Sequence, residues 1–107
     1  MFHYTNGKGY KAISSQMTWL FKASQPPGEH QKAAYFTTKP PGTKNLNKML
    51  FVRGCAEKAE YVFSFSGGNE LLPLRGGRGD YVFYSEQDYP VEKHRQQYHG
   101  ETAKFKG

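Results

Sequence analysis

Apolar and polar residues alternate along several short segments of the chain. The clearest alternation covers Glu60–Ser66, where aromatic residues occupy every second position from Tyr61 to Phe65. A period of two predicts a β-strand with one face buried. Other short segments that are aromatic, apolar or β-branched are also predicted to be strands. These are Met1–Thr5, Met17–Ala23, Ala33–Thr38, Leu71–Leu74 and Asp80–Tyr84.

Helical spacing is weaker and is confined to short stretches. Tyr10 and Ile13 lie three positions apart and predict a short helix over Lys8–Gln16. Thr43 is typical of a helix cap. The apolar residues that follow it at helical spacing are Leu46, Met49 and Leu50. A further short helix is predicted over Val91–Tyr98, inside a polar, basic tail that begins at about residue 86.

Strands mixed with a few short helices predict an α+β fold, and 107 residues fit one domain spanning 1–107. Hydrophobic residues make up 36% and aromatic residues 16%, so Phe and Tyr must supply much of the core. The net charge of +6 favours polyanionic partners. No apolar run is long enough to span a membrane, and the first five residues lack the apolar core of a signal peptide.

Several familiar patterns are better explained without a special function. The glycines of Gly7–Ala12 match a dinucleotide fingerprint, but the strand–helix–strand context is missing. Arg78–Asp80 matches a cell-adhesion tripeptide, but such a short match is often expected by chance. His94 and His99 have no acidic or cysteine partner at metal-ligand spacing, so no metal is expected. Cys55 has no base paired with it in the sequence and is interpreted as a structural thiol.

Three segments each place one chemically capable residue among apolar neighbours. Phe2–Thr5 contains His3, Ala34–Thr38 contains Tyr35, and Gly79–Tyr84 contains Asp80. This set, in this order, resembles the ADP-ribosyltransferases of the diphtheria-toxin and poly(ADP-ribose) polymerase type. It is most similar to the bacterial toxin group with a His-Tyr-Asp signature.

The resemblance implies a split, strongly bent antiparallel β-core with short flanking helices, and NAD⁺ as substrate. NAD⁺ would be cleaved at the nicotinamide ribose through an oxocarbenium-like state, which the Asp80 carboxylate would stabilise. The Tyr35 ring would stack on the nicotinamide, and His3 would hydrogen-bond a ribose hydroxyl without being charged.

The resemblance also implies binding contacts outside this catalytic set. The backbone at Tyr4 would bind the nicotinamide amide, and the Thr43 hydroxyl would make a second contact with that group. On their charge, and apart from the resemblance, Arg75 and Arg78 are expected to meet the pyrophosphate. Leu46 lies near the place of a second stacking aromatic residue in the family, so that stack is expected to be missing.

Chain elongation is associated with glutamate in the polymerases, so the resemblance implies that aspartate at position 80 favours mono-ADP-ribosylation or NAD⁺ hydrolysis over polymer synthesis. The expected acceptor is a protein or a nucleic acid, and a toxin would also need an immunity or antitoxin partner. Hydrolysis of NAD⁺, with water as acceptor, is the alternative within the same class. A basic nucleic-acid-binding module and an inactive relative that keeps the fold remain open as well. The compartment stays undetermined, with the cytoplasm or a target cell's cytoplasm both compatible.

Overall fold

A computed structural model of the chain describes residues 1–23, 32–44, 46, 59–74 and 81–105. These residues contain eight strands and one α-helix, α1 (Gly7–Ser14). The strands are β1 (Phe2–Thr5), β2 (Trp19–Phe21), β3 (Ala34–Thr37), β4 (Tyr61–Phe65), β5 (Leu72–Pro73), β6 (Val82–Ser85), β7 (Tyr89–Val91) and β8 (Gln96–Glu101). Two short 3₁₀ helices cover Lys93–Arg95 and Thr102–Lys104.

The strands form two antiparallel sheets. The larger sheet has the order β5-β6-β3-β1-β4-β8, and the smaller one pairs β2 with β7. Neighbours in the larger sheet include strands far apart in sequence, because β1 lies between β3 and β4. Helix α1 follows β1 directly, and its first turn is capped by Asn6, whose side chain accepts a hydrogen bond from the Gly9 amide at 2.9 Å.

The core lies between the two sheets and is built mainly from aromatic rings. Trp19 and Phe21 of β2 meet Phe63 of β4 at centroid distances of 4.9 and 5.5 Å. Phe36 of β3 contacts Phe21 at 5.3 Å. Most of these contacts are edge-to-face, the arrangement that the charge distribution of aromatic rings favours. Two-residue alternation places Phe36 and Phe63 on one side of the larger sheet, called the core face below, and Trp19 and Phe21 of the smaller sheet pack against it.

A hydrogen-bonded network joins the two sheets at one edge of this core. The Tyr89 hydroxyl on β7 donates to the Glu70 carboxylate, and Arg95 donates from Nη2 to the Tyr89 oxygen at 2.6 Å. Arg95 also donates from Nε to the Ser66 carbonyl at 3.0 Å. The hydrogen bond from Tyr89 lowers the pKa of the Glu70 carboxyl. The network lets a tyrosine enter an apolar core with its hydroxyl satisfied.

The structure confirms the coarse prediction of a small α+β domain with an antiparallel sheet. It overturns the helix predicted over Val91–Tyr98, because this stretch ends β7, forms one 3₁₀ turn and then runs into β8. Polar residues of β8 alternate between the two faces of the sheet, and pairing with β4 satisfies the backbone. The helix predicted after Thr43 lies largely outside the described residues. Among the described helices, none is long and apolar enough to cross a membrane.

We predict that Gly67→Ala destabilises the protein more than Gly42→Ala does. Both glycines have positive φ, at +89° and +91°, so alanine is strained at either by about 1–2 kcal/mol. A Cβ at Gly67 would also lie 2.9 Å from Nη2 of Arg95, whereas one at Gly42 would meet no described atom within 4 Å. Urea unfolding should therefore show a larger loss at Gly67. Equal losses would mean that Arg95 does not hold this turn.

Candidate functional site

The described parts of the three segments singled out in the sequence are neighbours in the larger sheet. β1 carries His3 and pairs with β3, which carries Tyr35. β3 also pairs with β6, which begins two residues after Asp80 in the chain. The order β6-β3-β1 therefore joins strands that are separated by tens of residues in sequence. Antiparallel pairing brings the end of β3 beside the start of both other strands.

His3 lies on the core face, among aromatic rings. Its ring centroid is 4.7 Å from that of Phe21 and 5.5 Å from that of Phe36. Its Nδ1 lies 2.9 Å from the Tyr35 carbonyl oxygen. A carbonyl can only accept, so the geometry assigns the hydrogen to Nδ1 and leaves Nε2 as an acceptor in the neutral ring. Burial lowers the pKa of His3 to about 4, and the hydrogen bond to Tyr35 opposes that shift only in part.

Tyr35 projects from the other side of the sheet. His3 and Phe36 share the core face, and Tyr35 precedes Phe36 on β3, so its side chain points the opposite way. Tyr35 pairs across the strands with Tyr84, and their ring centroids are 6.3 Å apart. The structure thus brings the His3 and Tyr35 strands together without placing their side chains on one surface. The contact between the two residues is made by the Tyr35 main chain.

Tyr4 and Thr43 both donate hydrogen bonds to the segment that follows β3. Tyr4 alternates with His3 and therefore shares a face with Tyr35, called the opposite face below. Its hydroxyl donates to the Lys39 carbonyl at 2.8 Å. The Thr43 hydroxyl donates to the Pro40 carbonyl at 2.7 Å, which closes a turn. Leu46 continues this turn, with its amide bonded to the Thr43 carbonyl at 3.2 Å.

The remaining predicted residues fall outside the described part of the chain. These are Asp80, Arg75 and Arg78, together with Cys55. The roles given to them stay predictions from the sequence. The described chain resumes at Tyr81, which immediately follows Asp80, and Tyr81 contacts β3 through its carbonyl oxygen.

The structure adds three residues that the sequence did not single out as site residues. Tyr84 provides a second ring beside Tyr35, Thr37 bonds to Tyr81, and the Lys39 ammonium lies 5.7 Å from the Tyr81 ring centroid. The aromatic character of β6 was visible in the sequence, but its pairing with β3 was not. Strand register is set by contacts between distant segments, which no local pattern contains.

No group of three histidine, cysteine or acidic side chains in the described ranges could hold a metal ion. His99 is bonded elsewhere, since its Nδ1 lies 2.7 Å from the Tyr10 hydroxyl. Comparison of the chain with protein-family models, with curated proteins and with solved structures gives no match. A functional argument therefore has to start from the residues themselves.

We predict that His3 makes the protein sensitive to acid. In the folded protein the pKa of His3 is about 4, against 6.5 for an unperturbed histidine, so the unfolded chain binds the proton first. The stabilisation is complete above pH 6.5 and is lost as the pH falls towards 4, by roughly 3 kcal/mol at most. Urea unfolding at pH 7.5 and 4.5 measures this loss.

His3→Gln should lose less stability over this interval than the wild type does, because it removes the titrating imidazole. His94→Gln is the matched control, since His94 is exposed in a 3₁₀ helix. A wild type and a His3→Gln variant with the same dependence on pH would contradict the prediction.

Proposed function

We propose that the protein is a mono-ADP-ribosyltransferase that cleaves NAD⁺ at the nicotinamide ribose and transfers ADP-ribose to a macromolecule. The observation that carries the proposal is the strand order β6-β3-β1. It makes neighbours of the three sequence segments that carry the resemblance, although nothing in the primary structure requires them to meet. A toxin paired with an immunity protein is the biological setting that the resemblance suggests.

The state of His3 supports an uncharged role in this reaction. A neutral imidazole donates from Nδ1 to the Tyr35 carbonyl, so His3 supports the strand of Tyr35 without bringing a charge to the site. A positive charge on His3 would oppose the positive charge that develops on the ribose at the transition state. The aromatic surroundings that lower the pKa of His3 therefore suit the proposed chemistry.

The residues of the proposed site lie on different faces of the larger sheet. Tyr35 and Tyr84 offer paired rings on the opposite face, and a nicotinamide ring is a suitable flat partner for such a surface. His3 reaches this face only indirectly, by holding the Tyr35 carbonyl from the core side. We therefore assign aromatic contact to Tyr35 with Tyr84, and give His3 a positioning role on the Tyr35 main chain in place of a direct ribose contact.

The ionised carboxylate of Asp80 is the proposed catalytic group. A carboxylate near the anomeric carbon stabilises an oxocarbenium-like transition state and can hold a ribose hydroxyl. Its shorter side chain favours transfer of a single ADP-ribose. Tyr4, Thr43, Arg75 and Arg78 complete the proposed NAD⁺ contacts, and no metal takes part.

We predict that the purified protein releases nicotinamide from NAD⁺ and that Asp80→Asn lowers the rate at least a hundredfold. The change keeps the size of the side chain and removes the charge that the transition state needs, an effect of about 3 kcal/mol or more. Chromatography of released nicotinamide measures the rate. Glu86→Gln is the control, because it removes an exposed acid from the loop after β6 and should leave the rate within about twofold.

The products formed from NAD⁺ distinguish between the remaining candidate functions. With labelled NAD⁺ and a cell extract, label on protein or nucleic acid supports transfer, while free ADP-ribose alone indicates a glycohydrolase. A protein that neither binds nor consumes NAD⁺, yet retains RNA with steep salt dependence, would instead be a nucleic-acid-binding module. Activity that is unaffected by Asp80→Asn would refute the assignment of Asp80 as the catalytic carboxylate.

A further inference from the structure

Three side chains form a continuous row across β5, β6 and β3 on the opposite face of the larger sheet. Leu72 is the register partner of Tyr84, and Tyr84 is the register partner of Tyr35. Partners in adjacent strands point to the same side of a sheet, so all three side chains share one face. Leu72 and Tyr35 are two strand spacings apart, which is about 10 Å. These three residues are called the edge row below.

The main-chain hydrogen bonds agree with this register. The Leu74 amide donates to the Val82 carbonyl at 2.9 Å, so Val82 and Tyr84 direct their main-chain groups towards β5. Tyr84 therefore faces Tyr35 at a position without hydrogen bonds between the two residues. Such positions bring side chains closest together, which accounts for the 6.3 Å between the two ring centroids.

Leu72 is the exposed end of the edge row. It exposes 46% of its surface, and in the described ranges only Met17 is another exposed large hydrophobic residue. β5 is an outer strand of the described sheet, and by alternation Pro73 is the residue whose main chain faces outward there. Proline has no amide hydrogen to offer, so addition of a further strand is disfavoured. A partner would meet this edge through side chains.

The surface around the edge row is uncharged. The lysines of α1 lie on the other side of the larger sheet, because that helix packs against Phe63 through Tyr10. The Lys39 ammonium, beyond the end of β3, lies over the Tyr81 ring. No charge is carried by the residues that β5, β6, β3 and the segment after β5 direct to the opposite face, which are Leu72, Leu74, Val82, Tyr84, Tyr35 and Thr37.

The edge row is larger than a nicotinamide ring needs. In the proposed reaction Tyr35 and Tyr84 hold that ring, and Leu72 lies one strand further out. A stable protein interface buries about 800 Å² on each partner, which equals a disc with a radius of roughly 16 Å. A footprint of this size centred on Tyr35 includes Leu72, because the two residues are only about 10 Å apart.

We propose that Leu72 determines acceptor specificity, and that the acceptor is a protein that places an apolar side chain against it. The proposal rests on the proposed function, because it takes Tyr35 and Tyr84 as the nicotinamide surface. Tyrosine rings and uncharged apolar side chains are typical of the centre of a protein–protein contact. A nucleic acid would instead need cations to neutralise its phosphates. Burial of Leu72 by the acceptor favours that acceptor over water.

The test measures how cleaved NAD⁺ is divided between protein and water. In both reactions the bond from the anomeric carbon to nicotinamide breaks, and its electron pair leaves with nicotinamide. The nucleophile then bonds the anomeric carbon and releases a proton to solvent. Protein from a nuclease-treated cell extract is the probe. The measured quantity is the transferred fraction, defined as ADP-ribose on protein divided by nicotinamide released.

Leu72→Thr should lower the transferred fraction at least fivefold. Threonine favours a strand but replaces the apolar end of the side chain with a smaller, polar one. Leu72→Ile keeps an apolar side chain and should stay within twofold of the wild type. Met17→Thr is the matched control, because Met17 is 79% exposed and lies outside the edge row. It should also stay within twofold. The fraction does not depend on the amount of folded enzyme, so partial unfolding of a variant would not imitate the effect.

Purified RNA and DNA, used in place of the protein fraction, should take up less than a fifth of the label that protein takes up. Equal transferred fractions in Leu72→Thr and Met17→Thr would overturn the inference and leave NAD⁺ cleavage standing. Label mainly on RNA or DNA would overturn the protein acceptor, and cleavage without label on any macromolecule would indicate a glycohydrolase. A wild type that leaves NAD⁺ intact would overturn the proposed function itself.

Discussion

The packing of aromatic rings between the two sheets is the constraint on which the rest of the structure depends. Phe63 lies at its centre, within ring-contact distance of Trp19, Phe21 and Tyr10. With few aliphatic residues available, the chain fills the space with large flat side chains that pack edge to face. His3 belongs to this cluster as much as to the candidate site. Its charge state is therefore a consequence of core packing.

This dependence ties the proposed chemistry to the fold. β1 is flanked on both sides, by β3 and β4, so His3 is held by neighbours from distant parts of the chain. The ring of His3 touches the core while its Nδ1 holds the Tyr35 main chain. A change in the core would reach Tyr35 through His3, and at the end of the same strand the Thr37 hydroxyl donates to the Tyr81 carbonyl at 2.6 Å. The candidate site is thus supported from two sides of one central strand.

Local pattern predicted much of this fold. Alternation located β4, and short aromatic runs located β1, β2 and β3 to within one or two residues. The prediction failed where polar residues dominate: β8 has no apolar period, and only its pairing with β4 makes it a strand. The candidate site divides in the same way. Residue types indicated His3 and Tyr35, but their separation onto two faces follows from register, which depends on β3, β1 and β4 together.

The network of Glu70, Tyr89 and Arg95 has a mechanical consequence. Ring contacts between the sheets favour edge-to-face geometry, but each of them alone is a weak constraint on the position of β2 and β7 across the larger sheet. Hydrogen bonds are directional and short-ranged, and here they join β7 to the turn after β4 and to the segment before β8. These bonds attach the Tyr89 end of β7 to the larger sheet. Gln96 of β8 adds a second attachment at the other end of β7, where its Nε2 donates to the Val91 carbonyl at 3.1 Å. Sliding of one layer across the other is therefore opposed by directional bonds at both ends of this strand.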